Sequence, residues 1–178
     1  AHKSVYNAIE INQLKPIYIY PKIDEYLGIP SDLSISDLPS DRDLMDVKAC
    51  VITYPTYEGL CYDVGMIREK CHQFGIVVLV DEAHGAHLVL DDNGPNSTLK
   101  LGADVVVQSF HKTLPAMTQT AGLHFGKQSL LTDEQKARIK WYLGSLQSSS
   151  PSYVLMGSVD QMLSVMERDG KTRYSQIK

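Results

Sequence analysis

GIVVLVDEAH, residues 75–84, is an apolar run that ends in two acids, an alanine and a histidine. A continuous apolar run of this kind, rather than an alternating one, is typical of a parallel β-strand covered on both faces. The residues after such a strand lie at the edge of the sheet where ligands bind in open parallel sheets. The segment therefore predicts a buried strand with a chemically active end.

Segments on both sides of this strand have similar patterns. Further strands are predicted at KPIYIYP (15–21), ACVITYP (49–55), GADVVVQSF (102–110) and AGLHFG (121–126), and helices at 3–14, 61–74, 131–146 and 152–168. The last strand precedes a capping signal, Thr132-Asp133-Glu134-Gln135, at the start of the third helix. Residues 22–43 are rich in Pro, Ser and Asp and read as a long loop with at most a short helix. Strands that alternate with helices predict an α/β fold with a mostly parallel sheet and flanking helices.

Composition narrows the classes of function. The 178 residues are 43% hydrophobic and carry a net charge of −4, so we expect a globular domain without a nucleic-acid or membrane partner. Cys50, Cys61 and Cys71 have no CxxC spacing, so we expect plain thiols in a reducing, cytoplasmic compartment, and no metal site. No signal-peptide pattern or bilayer-spanning run is present.

Three predicted strand ends carry reactive side chains, at residues 53–59, 81–84 and 109–112. Asp81 and Lys112 lie about one strand-crossover-strand unit apart along the chain. If their strands are neighbours, the two ends lie ~5 Å apart. The intervening segment, 85–101, has only a weak helical pattern, so this adjacency is an inference.

An acid and a lysine in this arrangement suit the chemistry of pyridoxal phosphate, a cofactor with a pyridine ring. A lysine that forms a Schiff base must lose its proton readily, and a carboxylate beside a pyridine nitrogen keeps that nitrogen protonated. Asp81 and Lys112 could hold opposite ends of one ring, Ala83 is small enough to lie against it, and Ser109 and His111 offer phosphate donors. Taken alone, Asp81 could be a turn former and Lys112 a solvated charge; the pair in this order favours the cofactor site.

A DEAH-type nucleotide hydrolase is the alternative reading of the same strand end, where carboxylates hold magnesium. That class needs GxxxxGK[ST] upstream to cradle phosphates, and none lies between Ala1 and Asp81. A nucleotide-driven motor also has no obvious use for SFHKTLPA, residues 109–116. The pyridoxal-phosphate reading is therefore preferred.

Five segments together resemble one enzyme family. AHKSVYNAI, TYPTYEG, VDEAHGAH, GADVVVQSFHKTLPAMTQTAGLH and LQSSSPSYVLMGSVD are similar to the large domain of the bacterial ornithine/lysine/arginine decarboxylases, which have the aspartate-aminotransferase-like fold of pyridoxal-phosphate enzymes. The block SFHKTLPA is the most specific part. DEAH is weaker, because oxoamine synthases of the same fold carry a similar aspartate motif.

The resemblance implies a role for each matching residue. Lys112 would form the Schiff base with pyridoxal 5'-phosphate, Asp81 would pair with the ring nitrogen, Ala83 would touch the ring face and His84 would lie near the ring hydroxyl. The family also places the following: His2 on the other ring face, Ser109 and His111 at the phosphate, Thr56 on a loop near the cofactor, and residues 148–152 near a dimer interface. Helix capping is the other reading of His2, an ordinary turn that of Thr56, and a polar linker that of 148–152.

The implied reaction is α-decarboxylation of ornithine, lysine or arginine, which releases carbon dioxide and a polyamine-type amine. A proton returns to Cα from Lys112 or a neighbouring histidine. The family resemblance further implies a homodimer or higher homo-oligomer with a small basic amino acid as its substrate.

Members of the family are longer than this chain. We therefore expect residues 1–178 to be a partial cofactor-binding large domain, with the phosphate-loop part before Ala1 and the small C-terminal domain outside it, and the isolated chain to be inactive. Two other hypotheses remain open: another enzyme of the same fold, such as an oxoamine synthase or an aldolase, and a non-catalytic partner subunit.

Overall fold

The first part of the chain forms only short elements. The structure, a computed structural model, describes residues 1–90 and 94–176. Helix α1 (Lys3–Ile11) is followed by an antiparallel pair, β1 (Lys22–Ile23) and β2 (Pro30–Asp32). A 3-10 turn at Ile35–Asp37 and helix α2 (Asp41–Leu44) follow.

The strand predicted at residues 15–21 is wrong. This segment has no strand, and β1 begins only at Lys22. Pro16 and Pro21 bracket the segment and lack the N–H that a ladder needs, while Tyr18 and Tyr20 remain exposed. The loop predicted for 22–43 does contain the expected short helical turn, at Ile35–Asp37, but also the β1–β2 pair and α2, which the pattern did not reveal.

A four-stranded sheet forms the centre of the fold. Its strands lie in the order β3 (Ala49–Thr53), β4 (Val77–Asp81), β5 (Val105–Ser109) and β6 (Ala121–Phe125). The first three strands run parallel, and β6 is antiparallel to β5. The prediction of an α/β fold with a mostly parallel sheet is therefore confirmed.

The hydrophobic core lies between this sheet and helix α3 (Val64–Gln73). α3 begins after Asp63, whose side chain accepts the Met66 N–H and satisfies one of the free donors of the first turn. Core side chains that are 5% exposed or less include Ile52, Val78, Val80, Val106, Val64, Ile67 and Cys71. Each such aliphatic side chain contributes about 1.5–3 kcal/mol relative to exposure to water.

The prediction that β4 is covered on both faces holds for only one face. Val78 and Val80 are buried, whereas Val77, Leu79 and Asp81 on the other face are only half-buried. The apolar run predicts the strand correctly, but its second face lacks full cover in the described part of the chain. Cys50, Cys61 and Cys71 are free thiols, as expected.

The connection from β4 to β5 contains a 3-10 helix, Ala86–Leu90, and no α-helix among the residues that the structure describes. After β5 come the single-turn helix α4 (Phe110–Thr113) and, beyond β6, α5 (Asp133–Leu146) and α6 (Tyr153–Ser175). Within the described residues, no helix has the length and apolarity needed to cross a membrane.

Both C-terminal helices have clear start signals. The predicted capping signal of α5 is a capping box, in which Thr132 accepts the Gln135 N–H and the Gln135 side chain accepts the Thr132 N–H. α6 continues beyond the predicted end at 168, where Asp169 pairs with Arg173 one turn later and the Tyr174 ring packs 5.5 Å from the His87 ring. Tertiary contact with the β4–β5 connection thus extends a helix whose sequence reads as polar.

Two glycines give a matched test of the packing. A Cβ on Gly126 would collide with the Ala103 carbonyl oxygen, whereas a Cβ on Gly144, within α5, would meet nothing. We expect Gly126→Ala to lower the free energy of unfolding by about 1–3 kcal/mol, because backbone must move to accommodate it. Gly144→Ala should raise that free energy by about 0.5–1 kcal/mol. Urea unfolding of both variants checks this, and equal effects would contradict the placement of β6 against β5.

Candidate functional site

The three predicted reactive ends meet at one edge of the sheet. Thr53 is opposite Asp81 in the β3–β4 ladder, and Asp81 is opposite Val107 in the β4–β5 ladder. The ladders continue one step further, since Tyr54 N–H donates to the Asp81 carbonyl (3.0 Å) and Glu82 N–H donates to the Val107 carbonyl (2.8 Å). The inferred adjacency of the Asp81 and Lys112 strands is therefore confirmed.

Lys112 stands on a tightly fixed turn. Helix α4 starts directly after β5, and its Phe110 N–H donates to the Thr120 carbonyl at 3.0 Å. The His111 Nδ1 lies 2.9 Å from the same oxygen and donates to it. Two donors on one carbonyl anchor the turn to the residue that precedes β6, so the exposed Lys112 side chain starts from a rigid backbone.

Lys112 and His84 form the central contact of the site. The Lys112 Nζ lies 3.1 Å from His84 Nε2. An ammonium can only donate, so the imidazole accepts and carries its own proton on Nδ1. Burial lowers the pKa of His84, and the positive charge of Lys112 lowers it further, while the negative charge of Asp81 acts in the opposite direction. The neutral imidazole lies within electrostatic reach of both the lysine and the aspartate.

Asp81 and Ala83 form a tight turn at the end of β4. The Asp81 Oδ1 accepts the Ala83 N–H at 3.2 Å, and both residues are half-buried. This is the turn-forming role that an aspartate at a strand end often has. It also fixes the carboxylate beside His84, so the two readings of Asp81 are compatible.

The Thr56 loop approaches the same place. The Thr56 N–H donates to the Leu60 carbonyl at 2.9 Å, and the Thr56 hydroxyl accepts the Leu60 N–H at 3.1 Å, so Thr56 itself forms a local turn. The next residue, Tyr57, places its ring edge-on to His84 with centroids 5.3 Å apart. The loop therefore contacts the candidate site through Tyr57, a residue that the sequence patterns did not single out.

Ser109 and His111 differ as phosphate donors. Ser109 precedes α4, and its side chain makes no capping hydrogen bond. His111 already uses Nδ1 on the Thr120 carbonyl, so it can donate to a phosphate only through Nε2 and only when the ring is protonated.

The more distant candidates have local roles in the structure. His2 caps α1, where its Nδ1 accepts the Ser4 N–H at 3.2 Å, and it makes no hydrogen bond to another candidate within the described residues. Ser152 caps α6 through the Leu155 N–H, and the rest of the 148–152 loop is exposed. Roles of His2 and this loop at a cofactor or a dimer interface remain predictions.

Glu82 is a second residue that sequence reasoning missed, and it supports the candidate site from the buried face of the sheet. Its side chain is fully buried, on the opposite face of the sheet from Asp81. Oε1 accepts from Ser97 Oγ (2.8 Å) and Gln108 Nε2 (2.6 Å), and Oε2 accepts from both the N–H (2.7 Å) and the hydroxyl of Thr98. Four donors compensate the carboxylate for its lost hydration. A signal was present, because Glu82 and Gln108 each end an apolar run.

Gly85 allows the β3 and β4 ends to pack closely. A Cβ at this position would lie 2.6 Å from the Glu82 Cγ and 2.8 Å from the Pro55 Cδ. Only glycine fits between the two strand ends, so the spacing of the 53–59 and 81–84 segments depends on it.

Comparison with known proteins identifies the family of the chain. The family model of the Orn/Lys/Arg decarboxylase major domain matches residues 1–177. The chain belongs to the Orn/Lys/Arg decarboxylase family. An uncharacterized Bacillus subtilis protein, YaaO, is 43% identical over 89% of the chain and 33% of its own length, and an arginine decarboxylase of the same organism is 35% identical over 96% of the chain and 34% of its own length. The chain thus spans about a third of the length of these relatives.

A solved structure shows the same fold. The chain is similar to a probable N-succinyldiaminopimelate aminotransferase from Thermus thermophilus, with a TM-score of 0.68 and 19% identity over 97% of this chain and 45% of that one. This confirms the expected aspartate-aminotransferase-like fold class of the chain.

The Lys112–His84 contact can be tested by titration. We expect the ring protons of His84 to titrate below the ordinary pH of a histidine, because burial and Lys112 both disfavour the imidazolium. Lys112→Gln should move that midpoint upward, since one of the two causes is removed. NMR titration of His84 measures this, with Lys140→Gln on exposed α5 as the control. A midpoint that ignores Lys112→Gln would contradict the contact.

The Glu82 cluster is tested by removing one acceptor. Glu82→Gln places an amide nitrogen, which cannot accept, among four donors. We expect the free energy of unfolding to fall by about 1–3 kcal/mol. Glu58→Gln, in an exposed loop, should change it by no more than about 0.5 kcal/mol. Urea unfolding compares the two, and similar small losses would show that the cluster contributes little.

Proposed function

We propose that the protein to which this chain belongs catalyses the pyridoxal-phosphate-dependent α-decarboxylation of a basic amino acid, which yields the amine and carbon dioxide. The observation that carries the proposal is the cluster of Asp81, His84 and Lys112 at the ends of two neighbouring parallel strands. Membership of the Orn/Lys/Arg decarboxylase family supports the same reaction.

The residues present fit the cofactor. Lys112 is exposed and would hold it through the side-chain amine, and the Asp81 carboxylate, on the next strand, would hold the ring nitrogen. Ala83 has a small side chain, which would leave space for the ring. The Ser109 hydroxyl makes no capping hydrogen bond and would bind the phosphate. When bound, pyridoxal phosphate supplies an electron sink for the pair of electrons left when the carboxylate departs.

The protons of the reaction would be held and moved by residues of this chain. Asp81 would keep a proton on the nitrogen it contacts, because a nearby carboxylate favours the cationic form. His84 is held neutral by burial and by Lys112, so its Nε2 accepts a hydrogen bond from Lys112 Nζ and would orient that amine. Lys112, the more exposed of the pair, would deliver the proton to the substrate Cα.

Arginine is the first substrate to test. Relatives named arginine decarboxylase, from Bacillus anthracis and Bacillus subtilis, are 34% and 35% identical to the chain. Lysine and ornithine are tested beside it, because a lysine decarboxylase from Pseudomonas aeruginosa is also similar, at 25% identity. The proposal includes a cytoplasmic, homo-oligomeric protein that functions in polyamine-type amine formation.

The experiment combines covalent trapping with product analysis. The protein is incubated with pyridoxal phosphate, reduced with borohydride and digested, and we expect the added mass on the peptide that contains Lys112. Lys112→Ala should abolish this label, while Lys140→Ala, a control on α5, should keep it. With the full-length enzyme, Asp81→Asn should lower turnover by about a hundredfold or more, roughly 2.7 kcal/mol in the barrier.

Three outcomes would contradict the proposal. A label elsewhere overturns the assignment of Lys112. A label on Lys112 without carbon dioxide from arginine, lysine or ornithine indicates another enzyme of the same fold. No label in the full-length protein indicates a non-catalytic partner subunit.

A further inference from the structure

A cavity of about 480 Å³ lies at the other end of the sheet from Lys112. Ser109 and Ala121 pair at one end of the β5–β6 ladder, whereas Val105 and Phe125 pair at the other, about 13 Å away. The cavity is at the Phe125 end and is lined by Leu99, Lys100, Gly102, His124, Phe125, Lys127 and Gln128. Its volume is in the range of small-molecule sites.

Positive charge dominates this cavity. Lys100 and Lys127 line it, and no acidic side chain does. Arg68 of α3 flanks it: a Cβ on Gly102 would lie 3.2 Å from the guanidinium carbon, and Arg68 Nη2 donates to Gln128 Oε1 at 3.3 Å. In the part of the chain that the structure describes, none of these three cations has a carboxylate within 4.0 Å. This is a local basic site in a protein whose net charge is −4.

One polar atom beside the cavity is buried without a partner. Arg68 Nε, which lies next to Gly102, has no hydrogen bond within residues 1–90 and 94–176. A buried donor without an acceptor costs free energy, and for a charged guanidinium the cost is larger. A ligand with an acceptor oxygen would relieve this donor.

We propose that this cavity binds a small organic anion, a phosphate or a carboxylate with an apolar body. The anionic group would lie among Lys100, Lys127 and Arg68, where charge-assisted hydrogen bonds are available. The apolar body would pack on Leu99 and Phe125. The site is separate from the strand-end site and does not depend on the proposed decarboxylation.

The probes are phenyl phosphate, phenylacetate and phenol, titrated into the isotope-labelled protein and followed by amide NMR. We expect saturable shifts at residues 99–102 and 124–128 with the two anions, and not with phenol. Stronger shifts with phenyl phosphate identify a phosphate site, and stronger shifts with phenylacetate identify a carboxylate site. Addition of salt should weaken binding, because the cations are accessible to solvent.

Substitutions of the cavity cations test whether these residues bind the anion. Lys100 and Lys127 are exposed, so Lys100→Gln combined with Lys127→Gln leaves the fold intact and should weaken anion binding about tenfold or more. Lys140→Gln, an exposed cation on α5, is the matched control and should leave the affinity unchanged. Arg68→Met should weaken binding further.

Any of the following results overturns the proposal. These are no saturable shift at residues 99–102 and 124–128 up to about 10 mM anion, equal binding of phenol, or an affinity that the double variant does not change. Shifts confined to residues 81–84 and 109–112 would likewise overturn it, because they would place the anion at the strand ends.

Discussion

A buried carboxylate holds together the edge of the sheet that carries the candidate site. Glu82 is fully buried and accepts hydrogen bonds from three residues in two parts of the chain: Gln108 at the end of β5, and Ser97 and Thr98 in the connection between β4 and β5. A carboxylate in this position would be prohibitively costly without such donors. The same residues therefore fix where the β4 and β5 strands end relative to each other, and all chemistry at that edge depends on this relation.

Side chains alternate between the two faces of a β-strand, so the two acids of the DEAH segment have different roles. Successive side chains point to opposite faces, so Glu82 turns into the core while Asp81 remains at the edge with His84 and Lys112. Each of these strand ends is thus fixed by contacts on the buried face of the sheet, and its candidate reactive side chains lie on the other face. Lys112 is held separately, by the two donors that α4 places on the Thr120 carbonyl. The residues that position the site are therefore different from the candidate reactive residues: Glu82 is buried, whereas Lys112 is exposed.

Periodicity and residue type were sufficient to predict the parallel strands, the cap at Thr132 and the adjacency of the strands that precede Asp81 and Lys112. These features depend on local patterns and on the geometry common to all parallel sheets. The missed features are of another kind. The false strand at 15–21 needed a ladder partner that no local pattern reveals, and the length of α6 depends on packing of Tyr174 against the 3-10 helix. Glu82 and Tyr57 act through long-range contacts, which a spacing rule between motifs does not contain.

The most direct test is a crystal structure of the full-length protein with pyridoxal phosphate bound. The account predicts continuous density from the Lys112 side chain to the cofactor, with the Asp81 carboxylate within hydrogen-bond distance of the ring nitrogen and His84 beside the ring. A cofactor joined to another lysine, or a ring whose nitrogen faces away from Asp81, would contradict it.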